Sequence, residues 1–214
     1  MRKLAAFACA AIAAGALFAD GSTPVMVSLV TPVQAPGRSR DVKGLRLSLV
    51  YGECRGFTGL DIGVVGNARE DFTGLAVGGF NFACGRMYGG QVGLLNWNGN
   101  SDAAPGKRSA GAQLGVVNVS HAFCGLQDGL VNISGSSFSG LQSGFFNCAE
   151  DMCGMQSGYY FLIGVNVATG TMRGVQMGLV NYADTVDGGC QIGIVNVISH
   201  NGWLPVLPIL NGSF

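Results

Sequence analysis

The chain is poor in the side chains that carry chemistry. Of its 214 residues only 2 are histidines, His121 and His200, and charged residues make up 11%, with 12 basic and 12 acidic side chains cancelling to a formal net charge of zero. Phosphate neutralisation needs clustered Lys and Arg, so this balance excludes a nucleic-acid binder. The glutamates are confined to Glu53, Glu70 and Glu150, and neither histidine stands near a serine elbow or at metal-ligand spacing. General acids, bases and metal ligands are therefore thin on the ground, no enzyme is expected, and no cofactor is implied. Low charge does not mean disorder, because 48% of the residues are hydrophobic and can bury enough surface to offset the entropy of ordering.

Long apolar runs are missing too, with one exception. Arg2 and Lys3 lead into an apolar run from Leu4 to Phe18 that ends at Ala19, the pattern of a secretory signal peptide over residues 1–19. No later segment has the roughly 20 consecutive apolar residues of a membrane helix. If the exported chain meets a membrane, strands must do it.

Glycine is what the chain has in excess, at 36 residues against a usual share of about 7%. Aligning the glycines exposes a repeat of the form Gly, apolar, Gln, apolar, Gly, apolar, apolar, Asn, whose copies open at Gly44, Gly59, Gly74, Gly89, Gly111, Gly125, Gly140, Gly154, Gly174 and Gly189. The period is about 15 residues, with insertions after the fourth and eighth copies. Gln fills the third place as Gln91, Gln113, Gln127, Gln142, Gln156, Gln176 and Gln191, while the first three copies carry Arg46, Asp61 and Ala76. Asn closes seven copies, as Asn81, Asn96, Asn118, Asn132, Asn147, Asn181 and Asn196.

Two or more glycines in eight residues disfavour a helix, so the copies read as strands with period two. One face carries the apolar second, fourth and sixth places. The other carries Gly, Gln, Gly and one more apolar residue. An apolar side chain two residues before most opening glycines, such as Phe57, Phe72, Met87 or Phe138, extends each strand.

Two all-β architectures fit a 15-residue period. In an antiparallel meander successive turns fall at opposite ends of the sheet, so turn properties alternate. Both insertions follow even copies, and Cys54, Cys84, Cys124, Cys148, Cys153 and Cys190 all fall at odd turns. With a strand before the repeats (residues 24–30) and one after them (residues 203–214), about 12 strands result, and the expected fold is a closed β-barrel of outer-membrane type. The alternative is a β-solenoid of about ten 15-residue coils. The chain then divides into a signal peptide (1–19), an N-terminal strand and linker (20–43), the repeat region (44–200) and a closing strand or cap (201–214).

Copies such as Gly174-Val175-Gln176-Met177-Gly178-Leu179-Val180-Asn181, together with the ending Gly202-Trp203-Leu204-Pro205-Val206-Leu207-Pro208-Ile209-Leu210-Asn211, resemble the bacterial surface repeat-containing proteins first named from Leptospira. The resemblance covers residues 44–214 and implies an exported, surface-associated repeat protein without an assigned activity. It brings no catalytic residues.

A barrel would aim Arg46, Asp61 and the seven glutamines into its lumen as a polar constriction for small solutes; the structural reading of the same row is a hydrogen-bonded amide ladder. Cys148 and Cys153, in an exported chain, are expected to form a turn disulfide rather than a metal clip. The functional expectation is a non-enzymatic envelope barrel, or alternatively a surface-exposed solenoid serving adhesion, with the outer membrane or cell surface as its partner.

Overall fold

A computed structural model describes residues 21–99, 108–160 and 163–213; the expected signal peptide lies outside them. Every regular element among the described residues is a strand. The chain divides into two compact units, residues 1–107 and 108–214. The first holds β1 (Ser22–Val30), β2 (Val33–Ala35), β3 (Asp41–Cys54), β4 (Phe57–Ala68), β5 (Phe72–Ala83) and β6 (Met87–Asn98). The second holds β7 (Ser109–Ser120), β8 (Phe123–Asp128), β9 (Val131–Ser143), β10 (Phe146–Ser157), β11 (Val165–Met177), β12 (Val180–His200) and β13 (Val206–Ser213).

Successive copies pair in parallel, residue over equivalent residue. Gly74 of β5 stands between Gly59 of β4 and Gly89 of β6. In the second unit Gly125, Gly140, Gly154, Gly174 and Gly189 stack in the same way. Both units are β-solenoids, each repeat forming one coil, and the antiparallel barrel is overturned. The parity of insertions misled because in a solenoid all equivalent turns lie on one side, so alternation has no meaning. The second insertion interrupts a coil between Gly158 and Gly164, where Tyr159 and Ile163 form a small antiparallel bridge. The register then resumes with Asn166 level with Asn147 and Asn181.

The coil closes because strand alternation slips once per repeat. In β5 Phe72 and Ala76 point inward and Leu75 and Val77 outward, but after Gly78 it is Asn81 and Ala83 that are buried. Two consecutive residues therefore face outward at the slip, and the chain turns back across a thin core. The turn is tied by its asparagine, as Asn147 Nδ2 donates to the Gly144 carbonyl at 3.4 Å. A second, charged bend completes the coil, for example at residues 69–71.

The opening glycines are imposed by close stacking. At Gly74 φ is +133°, and a Cβ would lie 1.9 Å from the carbonyl oxygen of Gly59. No L side chain fits that left-handed, crowded position.

Antiparallel hairpins cap the stacks. β2 folds back on β1, which itself pairs in parallel with β3. β13 folds back on β12 with Asn211 opposite Gln191. Pro208 is tolerated there because β13 is an edge strand.

Candidate functional site

The glutamine row does not line a lumen. Gln91, Gln113, Gln127, Gln142, Gln156, Gln176 and Gln191 are all at most 1% exposed and fill the interior of their coils. In the second unit they form one ladder, in which Gln127, Gln142, Gln156, Gln176 and Gln191 each donate Nε2 to the Oε1 of the glutamine one coil earlier, at 2.7–2.8 Å. The same amides cross the core to backbone carbonyls, as from Gln142 to Cys148 at 3.3 Å and from Gln176 to Tyr182 at 3.0 Å. A solute pathway is thereby removed, since the space between the strand arms is taken up by side chains.

Asparagines build a second ladder of opposite polarity. Asn118, Asn132, Asn147, Asn166 and Asn181 each donate Nδ2 to the Oδ1 of the asparagine one coil later, at 2.8 Å. The two rows of amide dipoles thus run against each other. Asn166 belongs to this row although the sequence alignment left the eighth copy without an asparagine. The signal was present, because Gly164-Val165-Asn166 repeats the end of a copy after the inserted residues.

Where glutamine is replaced, the partners change together. Arg46 and Asp61 form a bidentate ion pair at 2.7 and 2.6 Å inside the first unit, with side chains 1% and 3% exposed. Arg46 also donates to the Asn67 carbonyl at 2.8 Å and lies over the Phe57 ring, 4.8 Å from its centroid. Burial opposes the Arg46 charge, but the Asp61 carboxylate prevails and holds the guanidinium protonated. The asparagine place is glycine here for the same reason: a Cβ on Gly66 would lie 2.2 Å from Asp61 Oδ2. Ala76, third in the row, is likewise buried.

The disulfide expected between Cys148 and Cys153 is not formed. Both belong to β10, on either side of the buried Ala149 and Met152, and all six described cysteines are free thiols. His121 sits at a turn where its carbonyl accepts from Ser134 Oγ at 3.0 Å, and His200 contacts Asp184 at 3.1 Å on the surface. Among the described residues no three His, Cys, Asp or Glu side chains converge as a metal site.

With amides inside, the apolar rows are outside. In the first unit Leu60, Ile62, Leu75 and Val77 are 38–44% exposed, and at the slip of alternation Val64 is 50% and Leu94 58% exposed. The second unit repeats this edge with Leu130, Phe145, Leu179 and Ile194, the last 66% exposed. The sequence signal for this edge was the extra apolar residue on the glutamine face, which marks where alternation breaks. Charges collect at the other bend, where Arg55 pairs with Asp41 and Arg86 with Asp71. The Arg55 guanidinium holds the Asp41 carboxyl below its ordinary range.

Comparison with protein-family models, curated proteins and solved structures finds no match for this chain. The geometry therefore carries the functional reading.

Proposed function

We propose that this protein is an exported, non-enzymatic repeat module of the cell surface or outer membrane, whose working surface is the apolar outer side of its coils. The observation that carries this is the inversion of the usual pattern: Gln91 is 1% exposed while Leu94, three residues on, is 58% exposed. Contiguous exposed apolar surface on this scale marks an interaction site. The export pattern of residues 1–19 and the likeness of the repeats to leptospiral surface-repeat proteins support the same reading. Function as a scaffold also accords with a core whose polar groups are engaged in ladders.

The test is to replace Leu94, Leu179 and Ile194 with serine and follow the protein in the cells that make it. The variant is expected to fold with an unchanged β signature by circular dichroism, yet to leave the envelope fraction for the soluble one. Full retention of the variant in the envelope, or recovery of the unprocessed chain from the cytosol, would show the reading to be wrong.

A further inference from the structure

The apolar surface of the first unit turns a corner. It begins on one arm of the coil at Leu75 and Val77, continues over the bend at Phe80 and Leu94, both at least 40% exposed, and runs onto the other arm at Phe82 and Trp97. The two aromatic rings on that second arm are neighbours in register, tilted 55° to each other with centroids 6.2 Å apart. The surface is thus convex, apolar along the first arm and over the bend, and continues onto the second arm through the half-buried Phe82 and Trp97.

Charge gathers at the opposite bend, where three ion pairs form within the unit. Arg55 meets Asp41 at 2.6 Å, Arg86 meets Asp71 at 2.5 Å and Arg69 meets Glu53 at 3.5 Å. Tyr88 marks the boundary, with the Arg86 guanidinium 6.0 Å from its ring centroid. Amphipathic aromatics beside cations are the residues found where an apolar medium meets a wet one.

Shape decides the occupant. A second copy of the chain must bury about 800 Å² per partner on complementary surfaces to hold, and a flat arm laid on another would leave the bend and the far arm in water. Liquid hydrocarbon follows a convex edge around its bend. We infer that the apolar bend of the first unit seats in the hydrocarbon boundary of a lipid leaflet without crossing it. The row of Ile62 and Val77 lies two residues before the bend, about 7 Å back along the strand at 3.3 Å per residue, within the roughly 5–10 Å to which interfacial elements sink. A span would need an apolar band of about 25 Å. This inference rests on the interaction-surface reading and names its partner. Because the edge formed by Ile62, Val64, Val77, Phe80 and Leu94 carries no charged side chain, insertion depends on apolar burial rather than on lipid charge.

The chain has two tryptophans, so a Trp203→Phe variant of the whole protein leaves Trp97 as a native probe of this edge. The protein is mixed with phosphatidylcholine vesicles carrying bromine on the acyl chains. Trp97 emission is expected to fall at least about twofold at interfacial depth, equally in high salt and with added anionic lipid. Adding Val64→Glu and Leu94→Glu is expected to abolish the quenching while the β signature and melting temperature, read in parallel, show the coils intact. Replacing Arg69 and Glu70 by serine at the opposite bend should leave quenching unchanged.

Vesicle binding without Trp97 quenching would overturn the inference, since another part of the chain would then be the anchor. So would an absence of vesicle binding together with dimers, seen by sedimentation, that the Val64→Glu and Leu94→Glu substitutions disperse; that outcome would keep the interaction surface and replace its partner by a second copy. Quenching that vanishes in high salt would equally refute it. If these substitutions alter neither vesicle binding nor association nor envelope retention, the interaction-surface reading fails along with it.

Discussion

Gly140 combines a φ of +135° with a carbonyl oxygen, that of Gly125, 2.0 Å from where its Cβ would stand. Gly140→Ala is therefore expected to cost about 2–4 kcal/mol, from the left-handed backbone and the forced parting of two coils. Gly135 is a fair comparison, since its Cβ would meet nothing nearer than 3.7 Å, and Gly135→Ala should change stability by less than about 0.5 kcal/mol. Denaturant titration of both variants checks the contrast; equal effects would mean that stacking does not dictate the glycines. The cysteines offer a second test. Cys54 is 1% exposed and burial pushes its thiol up to about 11, whereas Cys84, Cys124 and Cys153 are exposed. An alkylating reagent at pH 8 should modify the exposed thiols in the native protein and Cys54 only on unfolding. The unfolded thiol ionises from about 9 and the folded one only at about 11, so between these values the unfolded state sheds its proton first and stability falls as pH rises. Cys54→Ala should flatten that alkaline slope.

In the strands the amide ladders do what hydrophobic packing does elsewhere, and their contribution depends on position along the stack. Gln142 accepts from Gln156 and donates to both Gln127 and Cys148. Gln191 donates to Gln176 and Val197, but its own Oε1 is buried without a donor because the row of glutamines ends there. Gln142→Leu removes three hydrogen bonds and leaves Gln127 Oε1 without its donor, although Gln156 keeps its bond to the Val167 carbonyl; it is expected to cost about 3 kcal/mol, while Gln191→Leu removes an unsatisfied acceptor and should cost less by about 1 kcal/mol. Chemical denaturation of the two variants measures the difference, and a larger loss at Gln191 would contradict the ladder. In the neighbouring row the Phe123 and Phe138 rings stack with centroids 6.2 Å apart.

At the scale of the whole molecule, the last strand of a parallel stack presents unpaired backbone groups, a ready template for another chain, unless something covers it. β13 covers one such edge through its antiparallel register with β12. Truncation after Asn201 should uncover β12 and produce concentration-dependent assembly end to end, visible as a rise in light scattering; a truncated chain that stays monomeric at high concentration would show that β13 is not a cap. The coil also explains the apolar exterior. A core two strand arms thick has room for Phe or Met, an amide and an alanine, as Phe138, Gln142 and Ala149 show, and no room for the apolar rows as well.

Much of this was legible in one dimension. The 15-residue period, the strands and the grouping of glycine with glutamine on one face follow from local spacing, because a side chain's face is set by its immediate neighbours along the strand. Even the coupled departures were visible, with Arg46 and Asp61 standing where Gly66 replaces an asparagine, though their ion pair was not. The direction of pairing was not legible, since strands at Gly59, Gly74 and Gly89 show the same alternation whether they run parallel or antiparallel. Nor was the choice of inside and outside, because hydrophobicity alone assigns Leu75 and Val77 to a core and Gln91 to solvent or a lumen. Folding reverses that assignment through stacking: at the roughly 4.8 Å spacing of neighbouring strands each amide satisfies the next one, and this cooperation exists only once residues 15 apart in the chain have been brought one above another.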